Sequence, residues 1–278
     1  MENNVRNISQ EYWSSKSIPY LTIRTTRDSA QGYKAHYHSE LSVGIMLSGQ
    51  TCLSLCKEDV LLKEGDVILI EPNMVHACNP VGGMPRSYRM LYIDHQWCCE
   101  ALSKLFGYQV KAFRVDHTLF TNKVSRVDTG NLISMLIECD LPHIAIKVES
   151  LILDILSRCC SPCMDDSDEG LAYQTRELLL NDVENVPQLE CIAKYLGYTQ
   201  ETLIRKFKKQ FGITPKSFLN NYRVEMAKAL LKEGMDITDV ANELGFYDQS
   251  QLHRTFVSYT ASTPRQYQRM KSIFDNNE

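Results

Sequence analysis

Residues 192 to 218, IAKYLGYTQETLIRKFKKQFGITPKSF, return at 240 to 267 as VANELGFYDQSQLHRTFVSYTASTPRQY, with one residue inserted after the Gly-aromatic pair. Ala193 pairs with Ala241, Leu196 with Leu244, Gly197 with Gly245, Tyr198 with Phe246, Leu203 with Leu252, Arg205 with Arg254 and Phe207 with Phe256. Thr214-Pro215 then matches Thr263-Pro264. This order predicts, twice, a short helix ending in Leu-Gly, a tight turn, a second helix, and a Thr-Pro that opens a third. Glycine suits the left-handed position at a helix C-terminus, and proline suits the first turn of the helix that follows. Thr199, Thr214, Asp248 and Thr263 are the expected N-caps.

Two helices joined by such a turn form a helix-turn-helix, in which one helix braces on the DNA backbone and the next enters the major groove. The charge supports this. The chain carries a formal net charge of −4, yet residues 194 to 271 hold 13 basic and 7 acidic side chains, against 16 and 21 in residues 1 to 170. Lys and Arg supply sequence-independent attraction to phosphate, while Arg and Gln can read guanine and adenine edges. Helical spacing buries Leu203, Phe207 and Phe211 and exposes Gln200, Glu201, Ile204 and Arg205, with Lys206, Lys208 and Lys209 beyond. In the second copy Leu252 and Phe256 turn inward, and Gln249, Ser250, His253 and Arg254 face out.

The 278 residues are enough for two domains. Residues 20 to 95 read as short strands (YLTIRT, LSVGIMLSG, TCLSLC, DVLL, DVILIEP, YRMLYID), which predicts an antiparallel barrel or sandwich. From about residue 96 the pattern turns helical. Ile144, Val148, Leu151, Ile152 and Ile155 form an apolar stripe that either packs on the chain's own barrel or serves a dimer interface. The acidic SPCMDDSDEG, residues 161 to 170, reads as a linker. The expected organisation is therefore α+β: a sensing and dimerising domain over 1–160, a linker over 161–170, and an all-α DNA-binding domain over 171–278. Cys159, Cys160 and Cys163 read as small residues ending a helix, with a metal-binding CxxC-like spacing as the other reading. No apolar run is long enough for a bilayer span and the N-terminus is too polar for a signal peptide, so the expected location is the cytoplasm.

The duplicated motif and the long helix between its copies resemble the C-terminal domain of AraC/XylS-family transcription regulators. The resemblance implies two helix-turn-helix units inserted into successive major-groove segments. It places Glu201, Ile204 and Arg205, then Gln249, Ser250, His253 and Arg254, toward the bases, with Thr199, Gln200, Lys206 and Lys209 completing the candidate DNA-binding set. One departure stands out: Phe211-Gly212 closes the first recognition helix, but Thr260-Ala261 stands where the second should end in an aromatic-glycine pair.

HYHSELSVGIMLSG and EGDVILIEPNMVHACNP resemble the two stretches of a cupin-type sensor barrel. The resemblance puts His36, His38 and His76 where metallo-cupin enzymes carry ligands, with Glu40 as a nearby carboxylate. Because Glu40 follows His38 too closely for that motif, the expectation is no metal and no cofactor. Tyr33, His36, His38, Glu40 and His76 are instead expected to line a pocket for a small effector. The implied partners are promoter DNA, the effector, a second copy of the chain and, for an activator, RNA polymerase. The competing reading is a metal-dependent cupin enzyme acting on a small acid, which leaves the duplicated motif unexplained.

Overall fold

A computed structural model describes residues 10–15, 17–55, 58–120, 126–163, 170–269 and 271–272. Eight strands come first: β1 (Gln10–Ser14), β2 (Leu21–Ser29), β3 (Leu41–Ser48), β4 (Gln50–Leu55), β5 (Glu58–Lys63), β6 (Val67–Ile70), β7 (His76–Pro80) and β8 (Arg86–Ile93). Next are α1 (His95–Phe106), β9 (Ala112–Val115), β10 (Leu119–Phe120), α2 (Arg126–Cys139), α3 (Pro142–Cys159) and β11 (Cys160–Cys163). The C-terminal part holds α4 (Leu171–Leu180), α5 (Leu189–Tyr195), α6 (Gln200–Phe211), α7 (Pro215–Lys232), α8 (Ile237–Glu243), α9 (Gln249–Thr260), α10 (Pro264–Gln268) and β12 (Lys271–Ser272).

Alternation along the strands builds two cores. In the seven-stranded sheet, ordered β10-β6-β3-β8-β2-β1-β12, Leu21, Ile23, Leu41, Val43, Ile45, Leu91 and Ile93 face α1, α2 and α3. Met46, Ile68, Ile70, Tyr88, Met90 and Tyr92 turn the other way and meet Leu53 and Leu62 of the three-stranded sheet β5-β4-β7. The two sheets give the expected cupin-like architecture without closing into a continuous barrel. The segment before β3 adds one backbone pairing to β7, between His36 and His76 at 2.8 and 2.9 Å.

The structure decides the reading left open for α3 and changes the one at Cys160–Cys163. The apolar stripe of α3 packs on the chain's own sheet through buried Ile144, Val148 and Ile152, which leaves Ile146 and Leu153 on a separate exposed face. Cys159 ends α3 and Cys160 caps it, as expected, but Cys160–Cys163 continues as a strand paired antiparallel with Ala112–Val115 rather than opening the linker. Ser161 and Pro162 are held there by β9, because an extended segment emerging from α3 beside an open sheet edge can satisfy its backbone groups by pairing. The remainder of the proposed linker, residues 164–169, lies outside the described residues. Gln10–Ser14, ahead of the stretch read as strands, pairs with β2 and carries buried Tyr12 and Trp13.

The helical part forms two further clusters, one around Leu203, Phe207 and Phe218, the other around Leu252, Phe256 and Tyr267. Each takes in a residue of the strand region, Tyr37 in the first and Tyr12 in the second. Ala261 goes the other way and joins the inner core of the sheets.

Candidate DNA-binding surface and effector cavity

Both helix-turn-helix units are built by the same backbone devices. At the end of α5, Tyr198 N donates to Ala193 O and Gly197 N to Lys194 O, at 2.9 and 3.1 Å; at the end of α8, Phe246 N donates to Ala241 O and Gly245 N to Asn242 O, at 2.9 and 3.0 Å. Each pair is a Schellman closure, and each needs its glycine at positive φ, 77° and 65°. The recognition helices α6 and α9 are then capped by Thr199, which accepts from Thr202 N, and Asp248, which accepts from Gln251 N. Thr214 and Thr263 cap α7 and α10 in the same way.

This scaffold buries Leu203 and Phe207 in α6 and Leu252 and Phe256 in α9. Thr199, Gln200, Glu201, Arg205, Lys206 and Lys209 are exposed along α6, with Ile204 half-buried at their centre. Gln249, Ser250 and Arg254 are exposed on α9, while half-buried His253 lines a groove with Gln249, Asp236, Thr263 and Arg265. Among the described residues neither Arg205 nor Arg254 makes a hydrogen bond or ion pair, and Lys206 Nζ lies 5.1 Å from the centre of the Tyr198 ring. The candidate residues thus occupy the outward faces of two matched helices. Tyr195, Tyr198 and Tyr247, not singled out by the sequence reading, are exposed beside the same helix N-termini.

The second site lies between the sheets. Tyr33, His36, His38 and His76 line one cavity together with Arg24, Met46, Ile68, Tyr88 and Met90. Glu40 does not line it and sits instead at the edge, 3.8 Å from Lys228 of α7. Arg24 and Tyr88 were missed by sequence reasoning; an arginine amid the apolar and hydroxyl residues that open the strand LTIRTTRDS was the available signal.

The three histidines are buried, and each Nδ1 is engaged: His36 with Lys34 O at 2.6 Å, His76 with Met74 O at 2.9 Å, and His38 with Glu225 Oε1 at 3.3 Å. Burial and neighbouring positive charge hold His36 and His38 well below the usual imidazole range. Burial brings His76 down to about 4. The imidazoles are therefore neutral, with Nδ1–H as donor and Nε2 as the free lone pair. Ligand atoms from the three lie within 4.8 Å of one another, as do those of His38, Glu40 and Glu225. Three neutral imidazoles are a donor set that can hold Fe(II), Mn(II) or Zn(II). Against this, the guanidinium of Arg24 acts on all three and opposes an added cation for the same reason that it opposes a proton.

One face of α7 reaches the rim of this cavity. Asn221 Oδ1 accepts from Tyr37 N and Asn221 Nδ2 donates to Tyr37 O, both at 2.9 Å. One helical turn on, Glu225 meets His38, and Lys228 bridges Glu225 and Glu40. Burial pushes the Glu225 carboxyl up, but the Lys228 ammonium beside it counters part of that rise. Burial works against the Lys228 charge, yet Glu225 and Glu40 more than compensate and hold its pKa well above the ordinary value. The helix joining the two DNA-reading units is therefore bonded to the sensor through Tyr37, His38 and Glu40.

A ligand cavity coupled in this way to two helix-turn-helix units defines a ligand-responsive, DNA-binding transcription regulator. Comparison with known proteins gives the family. An AraC-like ligand binding domain matches residues 18–130 and a helix-turn-helix domain matches residues 192–270. The chain is 26% identical over 263 residues to the HTH-type transcriptional regulator YbfI of Bacillus subtilis, covering 91% of each chain. It is 21% identical to YdeC of the same organism, an HTH-type transcriptional regulator, covering 98% of each. In fold it resembles ToxT of Vibrio cholerae, solved with an unsaturated fatty acid bound, with a TM-score of 0.56 at 14% identity over 90% of this chain and 94% of that one. The chain belongs to the AraC family of transcription regulators, with an N-terminal ligand-binding domain and a C-terminal DNA-binding domain. Among the described residues no helix is long and apolar enough to cross a membrane.

Proposed function

We propose that this regulator works in the cytoplasm as a homodimer and reads promoter DNA through Thr199, Gln200, Glu201, Ile204, Arg205, Lys206 and Lys209 of the first unit and Gln249, Ser250, His253 and Arg254 of the second. The observation that carries this reading is the pair of recognition helices with unengaged Arg205 and Arg254, joined by a helix whose other face is bonded to the sensor cavity. A sensing and dimerising part over 1–160, extended to Cys163 by the pairing with Ala112–Val115, and a DNA-binding part over 171–278 fit this division of labour. Exposed Ile146 and Leu153 on α3 support a dimer contact outside the DNA-binding units. RNA polymerase is a further partner if the outcome is activation. The cavity serves sensing rather than catalysis: its histidines are held neutral beside a cation, and His38, with its neighbours Tyr37 and Glu40, connects to α7. That a ToxT structure holds a fatty acid supports a small-molecule effector for a sensor of this fold.

The test is a titration of the full chain against fragments upstream of its own and neighbouring genes at two salt concentrations. Site-specific binding should weaken on Arg205→Ala or Arg254→Ala by about 1–3 kcal/mol, with relaxed preference at one base position for each. If neither substitution nor added salt changed the affinity, groove docking by these helices would be wrong.

A further inference from the structure

The cavity contains a charge that the protein itself does not satisfy. Arg24 is 6% exposed and lines the cavity from β2. Among the described residues its one hydrogen bond runs from Nη1 to the backbone carbonyl of Thr260, at 3.2 Å, and its Nε–H is buried without an acceptor. The rings of Tyr33, Tyr88 and Tyr92 stand 5.5 to 5.6 Å from the guanidinium carbon. The nearby carboxylates are engaged elsewhere, Glu225 with His38 and Lys228, and Glu40 with Lys228. Arg86, a second buried arginine beside Tyr33 and Tyr88, makes the contrast plain. Its two Nη atoms make four hydrogen bonds to the carbonyls of Ser29, Gln31 and Cys78, at 3.0 to 3.2 Å. Arg86 also leaves a buried Nε–H without an acceptor, but carbonyls occupy both of its Nη atoms, whereas Arg24 has only Nη1 engaged and keeps the rest of its planar fork of donors open.

Its single partner comes from the DNA-binding part. Thr260 ends α9, and the residues that follow enter the sheets: Ala261 is fully buried in their inner core, Ser262 Oγ lies 2.9 Å from Tyr12 OH, and Lys34 N donates to Ser258 O at 3.3 Å. Thr260, Ala261 and Ser262 do not line the cavity themselves, but they dock beside Arg24 in the inner core, and we read this end of the second recognition helix as a stopper. With it in place the cavity measures about 30 Å³, room for a water or two. An organic effector needs more space, and the segment docked beside Arg24 is the element of the DNA-binding part whose withdrawal would open it.

We propose that Arg24 anchors the carboxylate of a small organic acid, and that the Thr260 carbonyl holds this anchor when the acid is absent, so that effector binding and docking of α9 exclude one another. This builds on the reading of the cavity as the sensor site. A carboxylate can take two charge-assisted bonds from a guanidinium, where the neutral Thr260 carbonyl takes one, so the acid displaces the stopper. Met46, Leu62, Ile68, Ile70 and Met90 line the same space and suit an apolar body behind the carboxylate. The acid acts on DNA binding because it favours the arrangement in which α9 is released.

The experiment uses the full chain with hexanoate and phenylacetate, and with hexanamide and phenylacetamide as uncharged counterparts, followed by calorimetry and by hydrogen exchange at Ala261 and Ser262. At least one acid should bind saturably and at least about tenfold more tightly than its amide, the size expected of hydrogen bonds to a charged group. Exchange at Ala261 and Ser262 should rise as it binds. Arg24→Gln should erase the preference for acid over amide. Tyr12→Phe, which removes the bond to Ser262 and leaves Arg24 in place, should tighten acid binding several-fold and keeps the test decisive if Arg24→Gln does not fold. Failure of both acids to bind, equal binding of acid and amide, acid preference surviving Arg24→Gln, or unchanged exchange at Ala261 and Ser262 each overturns the proposal. The DNA titration on the same preparation separates the two readings. Specific DNA binding without an acid response leaves the regulator and removes the anchor; an acid response without DNA binding does the reverse.

Discussion

The two helix-turn-helix units share their turns, their caps and their buried phenylalanines, and they differ where each recognition helix ends. The first stops at Gly212, exposed and at φ 75°. The second stops at Ala261, fully buried and at φ 52°, a conformation that disfavours a side chain. An alanine is tolerated there because its methyl group packs into the inner core of the sheets, and that contact offsets the backbone cost. The departure from the family pattern is thus a docking feature. The first unit also touches the strand region, through Tyr37 stacked on Phe218 at 5.3 Å, but it does so from the side of α7 and keeps its recognition-helix terminus outside the inner core.

The harshest way to break the comparison is to empty each unit in turn. Phe207→Ala and Phe256→Ala remove fully buried rings and should each cost about 3–5 kcal/mol in urea unfolding. The two losses should be of similar size if the units are equivalent cores. A more selective approach is pH. The three cavity histidines have folded values below the 6.5 of a free imidazole, so the unfolded state takes up protons first as pH falls. Their contribution is complete above about 6.5 and is lost as pH drops toward about 4 for His76, at about 1.4 kcal/mol per unit of depression. Unfolding followed between pH 7 and pH 5 should show stability falling with acid, and His76→Gln should flatten that slope.

Exchanging the terminal residues sharpens the contrast. Gly212→Ala should destabilise by about 1–2 kcal/mol, because the added Cβ meets only the Val75 side chain at an ordinary 3.6 Å and the cost is conformational. Ala261→Gly should change stability by less than about 1 kcal/mol, since relief of the positive φ offsets the lost methyl burial. A Gly212→Ala variant as stable as the parent would mean that the φ difference carries no energy. Effects of similarly small size are expected at the caps. Thr199→Ala and Asp248→Ala should each cost about 1 kcal/mol in thermal unfolding, and a much larger loss at Asp248 would show that the second unit depends on its cap more than the first does.

The turns and caps were legible because they are short-range: Leu-Gly, Thr-Pro and an acceptor before an apolar run set backbone geometry over three or four residues. The basic recognition helices followed from periodicity and local charge. Tyr33, His36, His38 and His76 were brought to one cavity, whereas Glu40 went to its edge, since its carboxylate found Lys228 of a helix nearly two hundred residues away. Asn221, Glu225 and Lys228 were not singled out in the sequence, because the spacing of a helix does not say what will cover its polar face. Cys160–Cys163 looked like a helix end because its pairing partner, Ala112–Val115, is distant in the chain.

By itself the sequence determined the two-part organisation, the duplicated units with their caps and turns, and the outward faces of α6 and α9. All of these depend on residues within a few positions of one another. Only the tertiary structure decided that α7 is bonded to the sensor rim, that Arg24 is left without a counter-ion, and that Thr260, Ala261 and Ser262 dock on the strand region. The contacts concerned join residues 236 and 250 positions apart, Arg24 to Thr260 and Tyr12 to Ser262. Whether a buried charge or hydroxyl is satisfied is settled by whatever the folded chain brings against it.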